Sequence, residues 1–149
     1  MRGVVQRVTG ASVYSDGSLT GTIRKGIVVF IGVMTEDNEE DAAYIVNKVP
    51  ALRIFNDDMG KMNLSVTDVK GSILAVSQFT LYGDARGGRR PSYIRAADPD
   101  KACLLYDRII STWRGMGIDV QTGVFRTHMD VSLVNDGPVT ILLDSRREF

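Results

Sequence analysis

The sequence predicts an α+β fold: one β-rich domain spanning residues 1–149, its strands in a barrel-like arrangement, with two helices. Three observations predict it. Residues 27–33 and 73–82 are long apolar runs rich in β-branched and aromatic side chains, the pattern of strands covered on both faces. Two other stretches carry apolar residues at helical spacing behind capping residues. No internal repeat, linker or low-complexity segment divides the chain.

In chain order, residues 4–14 alternate Val4, Val8 and Val13 with polar partners, and Ser15-Asp16-Gly17-Ser18 supplies turn residues before a second strand at 19–23, so a hairpin is expected. The run at 27–33 should be a central strand. Asp37 or Asn38 can cap a helix whose first turn holds Glu39, Glu40 and Asp41, where acids suit the helix dipole. Its apolar stripe is Ala42, Ile45, Val46 and Val49, and Pro50 lies near its end. Residues 52–55 read as a short strand, 56–60 as a turn, and 73–82 as the second long buried strand. Asp98-Pro99 is a helix start with proline at the first position, followed by Ala102, Leu105, Tyr106, Ile109, Trp113 and Met116 at helical spacing. Two last strands, 131–134 and 139–143, are joined by Asn135-Asp136-Gly137-Pro138.

Composition narrows the function classes. With 149 residues the chain can remove roughly two-thirds of its unfolded surface from water, enough for one real core. It is 44% apolar and 24% charged, far from disordered or disulfide-scaffold extremes. Eighteen basic and eighteen acidic side chains cancel, so an anionic partner must be met by a local patch. Cys103 and His128 are the only residues of their kinds, which excludes an internal disulfide and a thiolate or imidazole zinc cage; no metal and no cofactor is expected. No stretch approaches the ~20 apolar residues of a membrane span, and the apolar start is too short for a signal peptide, so a cytoplasmic protein without membrane contact is expected.

Standard catalytic constellations are missing. A serine hydrolase triad would have to be built on His128, whose simpler reading is a partly exposed or hydrogen-bonded side chain, and Cys103, beside a helix stripe, reads as packing. Three segments carry more. Ser77-Gln78-Phe79-Thr80 closes an apolar strand with polar groups that either terminate it or serve a ligand. Strand alternation would put Ser77 and Phe79 on one face and Gln78 and Thr80 on the other, so no side-chain dyad is implied and main-chain amides at the strand end remain candidates for an oxyanion site. Arg86, Arg89, Arg90 and Arg95 crowd a glycine-loosened loop with no acid between Asp84 and Asp98; such guanidiniums suit phosphate clamping, or simply face solvent. In Asn135-Asp136-Gly137-Pro138 the Asp-Gly pair reads as a tight turn, while the following proline suits a central strand poorly and admits a cis bond.

Taken together, these segments resemble the D-aminoacyl-tRNA deacylases. Ser77 to Thr80 match the family's S-Q-F-T, Asn135 to Thr140 its N-x-G-P-V-T, and Arg90-Pro91-Ser92 its R-P-S loop. Gln6-Arg7-Val8, Arg53-Ile54-Phe55 with Gly60-Lys61-Met62-Asn63, and Thr122-Gly123 with Phe125 and Met129 follow in the same order, so the likeness runs from end to end. One departure stands out: small residues usually follow the Phe of T-G-x-F, and here Arg126-Thr127-His128 stand.

The resemblance implies a homodimer with active sites at the subunit interface and the Gly137-Pro138 peptide in cis, inserted into the neighbouring subunit's pocket. It implies hydrolysis of the ester joining a D-amino acid, or glycine, to the terminal adenosine of tRNA, in a site lined by Ser77, Gln78, Phe79 and Thr80, with Phe125 and Met129 near the adenosine. On that footing amides near Phe79 and Thr80 are expected to hold the oxyanion, the Thr80 hydroxyl to orient the carbonyl, Gly137-Pro138 to exclude L-substrates by collision, and Arg86, Arg89 and Arg90 to contact tRNA phosphates. The rival readings are a non-catalytic single-stranded nucleic-acid-binding protein using the arginine loop and Tyr93, an editing deacylase for a mischarged L-amino acid, and, least favoured, a small-ester hydrolase built on His128.

Overall fold

The computed structural model describes residues 1–149, and its elements run β1 (Arg2–Ser15), β2 (Ser18–Ile23), β3 (Gly26–Gly32), α1 (Glu39–Ala51), β4 (Phe55–Asn56), β5 (Met62–Leu64), β6 (Ser72–Ser77), a 3₁₀ turn (Phe79–Tyr82), α2 (Pro99–Gly115), β7 (Val120–Thr122) and β8 (Met129–Asp144). Six strands form one mixed sheet in the order β2-β1-β3-β6-β7, with β8 paired to β1; β4 and β5 form a separate hairpin. β1 and β2 are the expected hairpin, and β3 is central, antiparallel to β1 and parallel to β6. The sheet curls until β7 returns to β2: a Cβ added to Gly21 would stand 3.0 Å from the Thr122 carbonyl oxygen. The result is a nearly closed barrel with the two helices on one side.

β3 is buried on both faces, as its composition predicts, because it divides two cores. Val28, Leu74 and Val76 pack with Val8 and Val13 inside the barrel. Ile27, Val29 and Ile31 face Ile45, Val49, Ile109 and Trp113 of the helices. α1 begins at a capping box, in which the Asn38 side chain accepts from Glu40 and Asp41 amides and Asp41 returns a bond to the Asn38 amide. Pro50 lies inside its last turn and has no N–H for the Val46 carbonyl. The indole N–H of buried Trp113 donates to that carbonyl at 3.0 Å, so α2 supplies the bond that α1 cannot make. No helix is long and apolar enough to cross a membrane.

Several elements differ from the sequence expectation. The strand expected over 73–82 stops at Ser77, and Phe79–Tyr82 turn as 3₁₀ helix. Gly32 on β3 makes the space for this turn: a Cβ there would meet the Gln78 carbonyl and Leu81 Cβ, each at 3.0 Å. Tyr82 is then buried, and the Arg2 guanidinium lies over its ring, 4.7 Å from the centroid. The two strands expected at the C-terminus are one, β8, because the chain does not reverse at Asn135-Asp136-Gly137-Pro138; Leu133 and Ile141, on either side, both pair with β1. β7 fills the stretch after α2, where no strand is predicted, and the short strand expected over 52–55 is confined to Phe55–Asn56, paired with the unexpected β5.

Candidate active site

The 3₁₀ turn sets out the polar end of β6. Gln78 still donates its amide to the Ile31 carbonyl (2.8 Å), after which its backbone (φ −144°, ψ 81°) leaves the ladder. The first amides of the turn, Phe79 and Thr80, therefore have no partner within the chain, as the opening of any helix requires. The alternation expected for an extended strand is absent: Gln78 and Thr80 do not point away in parallel, but the Gln78 side-chain amide donates to the Thr80 hydroxyl. The far end of the turn is fixed by Arg2, whose Nη1 donates to the Leu81 carbonyl at 3.0 Å.

Beside these amides lies a cleft of about 520 Å³, floored by Ile31, Val33 and Val76 and walled by α2. Of the residues singled out in the sequence, Ser77, Gln78, Phe79, Phe125 and Met129 line it, and Thr80 does not. Tyr106 locks the wall: its hydroxyl donates to the Ala75 carbonyl at 2.9 Å, its ring centroid is 6.2 Å from that of Phe125, and burial pushes its phenol far above the ordinary range. Met129 packs its sulfur directly against Gly123, where no Cβ would fit. The lining is mostly apolar, with Arg126 as its one guanidinium and no carboxylate, so it suits a group with an apolar or aromatic body. His128 stands on the rim, its Nε2 3.2 Å from Asp130 Oδ1, with no nucleophile beside it. Cys103 is outside the cleft, half-buried, 3.5 Å from Asp107; burial first and then that carboxylate push its thiol up.

Gly137 and Pro138 are exposed and lie outside this cleft, joined by a cis peptide bond. They form a bulge on β8. Gln6 pairs with Thr140 and Val8 with Asn135, so Arg7 alone on β1 faces Asp136, Gly137, Pro138 and Val139. Arg7 is buried (7% exposed) and donates from Nη1 to the Ile54 carbonyl (2.6 Å) and from Nε to the Asp136 carbonyl (3.0 Å). Asn135 replaces the missing ladder: its side chain accepts from the Val139 amide at 2.8 Å and donates to the Val139 carbonyl at 3.3 Å. Only glycine fits at 137, where φ is +137° and a Cβ would approach Val139 Cγ2 to 2.7 Å and Arg7 Nη2 to 3.1 Å. Sequence reasoning assigned Arg7 and Asn135 no role. No local signal marks Arg7, which stands in a strand that also carries Arg2, Gln6, Thr9 and Ser12; its burial is set by the bulge that packs over it.

The arginine loop lies apart from the cleft and is internally divided. Arg86 is held by Asp84 through Nε (2.9 Å) and Nη2 (2.6 Å), and this bidentate grip holds the Asp84 carboxyl well below the usual carboxylate range. Arg89 and Arg90 are exposed and pair with nothing. Tyr93 connects the loop to the site, edge-on to Phe79 at a centroid distance of 5.2 Å.

Residues 4–144 match the family model described as D-Tyr-tRNA(Tyr) deacylase. Two curated relatives named D-aminoacyl-tRNA deacylase, from Thermotoga petrophila and Fervidobacterium nodosum, are each 56% identical over 149 residues, covering 100% of both chains. A solved structure called c-Myc DNA Unwinding Element Binding Protein is 37% identical, superimposes with a TM-score of 0.90, and covers 97% of this chain and 98% of its own.

Proposed function

The chain belongs to the D-Tyr-tRNA(Tyr) deacylase family, a hydrolase family acting on the ester of D-aminoacyl-tRNA, and from that premise we propose how this cleft performs the reaction and which substrates it admits. The ester is already activated by the neighbouring ribose hydroxyl and the ammonium group. Positioning and charge stabilisation therefore suffice, and a chain with one histidine and one cysteine loses nothing. The observation that carries this reading is the pair of unpartnered amides at Phe79 and Thr80, the first on a residue that lines the cleft with Phe125 and Met129 and the second next to it in the chain.

The terminal adenosine lies between Phe125 and Met129. The developing oxyanion accepts from the Phe79 and Thr80 amides, while a water and the substrate's 2′-hydroxyl carry the proton. Ser77 and Gln78 line the approach, and Thr80 acts through its hydrogen bond to Gln78. Gly137 and Pro138 serve the cleft of a second copy, since they are exposed and outside their own. There the stiff bulge accepts the ammonium group in one orientation and meets an L-side chain with main chain. Glycine has nothing to collide, so glycyl-tRNA is a substrate of the same filter. Arg89 and Arg90 contact tRNA phosphates, and Arg86 does so less, being held by Asp84.

The test is purified protein with matched D- and L-tyrosyl-tRNA and glycyl-tRNA, following free amino acid. Cleavage of D-tyrosyl- and glycyl-tRNA with the L-ester spared is expected; equal cleavage of D and L would return the chain to L-editing, and inert glycyl-tRNA would sink the steric filter. The name of the 37% identical structure, together with the free Arg89 and Arg90 beside Tyr93, favours nucleic-acid binding as the second reading. That reading requires no ester cleavage and no effect of Pro138→Ala on binding.

A further inference from the structure

Residues 123–128 cross the mouth of the cleft as a tight turn. It is pinned at one end by the Val124 amide donating to Ser15 Oγ (3.0 Å) and at the other by the Asp16 amide donating to the His128 carbonyl (3.0 Å). Between the pins, Thr127 Oγ1 donates to the Val124 carbonyl (2.8 Å). This closure forces Arg126 into the left-handed region (φ +66°), a conformation that glycine adopts freely and a long side chain does not. Arg126 is the only arginine or lysine in the lining, no carboxylate shares that lining, and its guanidinium makes no hydrogen bond or ion pair within the chain. The other basic side chain on the rim, His128, is occupied by Asp130. An unfavourable backbone conformation therefore holds one uncompensated charge at the edge of an apolar cleft.

We propose that Arg126 binds the phosphodiester on the 5′ side of the terminal adenosine, forming a subsite that fixes the last nucleotide of the substrate. The inference rests on the reading that Phe125 and Met129 hold that adenosine. With the base beside Phe125, the first anion along the substrate is the 5′-phosphate, and the next residue in the chain supplies a planar fork suited to two phosphate oxygens. The loop arginines are outside the cleft and belong to phosphates further along the tRNA, so a mononucleotide substrate isolates Arg126 from them.

The experiment compares D-tyrosyl esters of adenosine and of adenosine 5′-monophosphate, both attached at the 2′(3′) position. The wild-type chain should show about tenfold higher kcat/KM for the phosphorylated ester, a modest gain for a charge-assisted bond at an exposed rim. Arg126→Gly and Arg126→Gln should each bring that ratio to about one, and Arg126→Lys should keep part of it. Arg126→Gly relieves the left-handed backbone, so an unchanged or raised Tm accompanies its loss of preference and separates the effect from unfolding. A wild type that cleaves both esters equally, or a preference that survives in Gly and Gln variants, overturns the role of Arg126 and leaves the cleft reading standing. A wild type that cleaves neither ester overturns both.

Discussion

Replacing Arg7 by methionine keeps an unbranched stem of similar length and removes every donor beneath Gly137 and Pro138. The bond to the buried Ile54 carbonyl, 2.6 Å long, leaves an acceptor without this donor, worth about 1–3 kcal/mol. The bond to the Asp136 carbonyl adds about 1 kcal/mol. The accompanying ion pair, 3.1 Å to an Asp136 carboxylate that is 44% exposed, adds at most ~1 kcal/mol after solvent screening. Arg7→Met should therefore cost about 2–5 kcal/mol and lower Tm by roughly 10 °C in a chain of this size. The amides of Phe79 and Thr80 are untouched, so turnover of D-tyrosyl-tRNA by the folded enzyme should stay within a few-fold. The L-ester, which the proposed filter excludes by the position of the bulge, should gain 10- to 100-fold if ~1.4–3 kcal/mol of that restraint is lost, at 1.4 kcal/mol per factor of ten. Thermal melts and parallel D- and L-tyrosyl-tRNA assays below the lowered Tm read both effects. A destabilised variant with an unchanged D-to-L ratio would refute the link between anchor and selectivity, and an unchanged Tm would refute the energetics of the anchor.

Phe79→Pro removes an N–H that bonds nothing in the fold, at a first-turn position that proline tolerates, so Tm should hold while kcat falls about 10²–10³-fold; Phe79→Ala, which keeps the N–H, should lose far less, and equal losses would assign the effect to the ring. Arg89→Gln with Arg90→Gln should raise KM for aminoacyl-tRNA and flatten the slope of log KM against log salt by up to about 1.5 units, whereas Arg86→Gln should change the slope little because Asp84 already holds that side chain. Glu148 accepts from Arg95 (2.6 Å) and Arg2 (2.9 Å), and these bonds hold its carboxyl below the usual range. A carboxyl depressed in the folded state stabilises above its unfolded value, about 4.3, and that contribution disappears as pH falls through the folded value. Glu148→Gln should accordingly melt below wild type near neutrality, with the two curves converging in acid; a constant difference across pH would exclude the carboxylate as its source.

The parts of this fold that the sequence makes legible are those decided by near neighbours. The β1–β2 hairpin follows from Asp16-Gly17, the start of α1 from Asn38 and Asp41, and the start of α2 from Asp98-Pro99; each is a contact between residues a few positions apart. The 3₁₀ turn is different, because it occupies space that a Cβ at position 32 of β3, distant in sequence, would fill. The bulge is misread for a related reason. Asp-Gly signals reversal locally, but β1 is long enough to pair with both flanks of β8, and the Asn135 side chain supplies the bonds that make the excursion stable. Ser77, Gln78, Phe79, Phe125 and Met129 line one cleft although the first three lie far from the last two along the chain, a proximity only the folded sheet creates, while the hydroxyl of Thr80 is drawn to Gln78 by a turn that no periodicity foretells.

The positions of Arg2 and Arg7 explain why the proposed reaction calls for two copies of the chain. Arg2 holds the turn that carries the amides, through the Leu81 carbonyl, and Arg7 holds the bulge, through the Asp136 carbonyl, and both stand on β1. Five residues of extended strand separate them by about 17 Å, and an odd interval along a strand sends their side chains to opposite faces. A continuous, twice-paired strand cannot fold to close that gap, so Gly137 and Pro138 cannot approach the Phe79 and Thr80 amides of the same protomer. The proposed twofold pair would remove the difficulty without moving either element, each copy offering its bulge to the cleft of the other, with the same strand fixing both. On this reading, stiffness in β1 is what lets a main-chain segment judge handedness: the less β1 bends, the smaller the side-chain difference that becomes a collision.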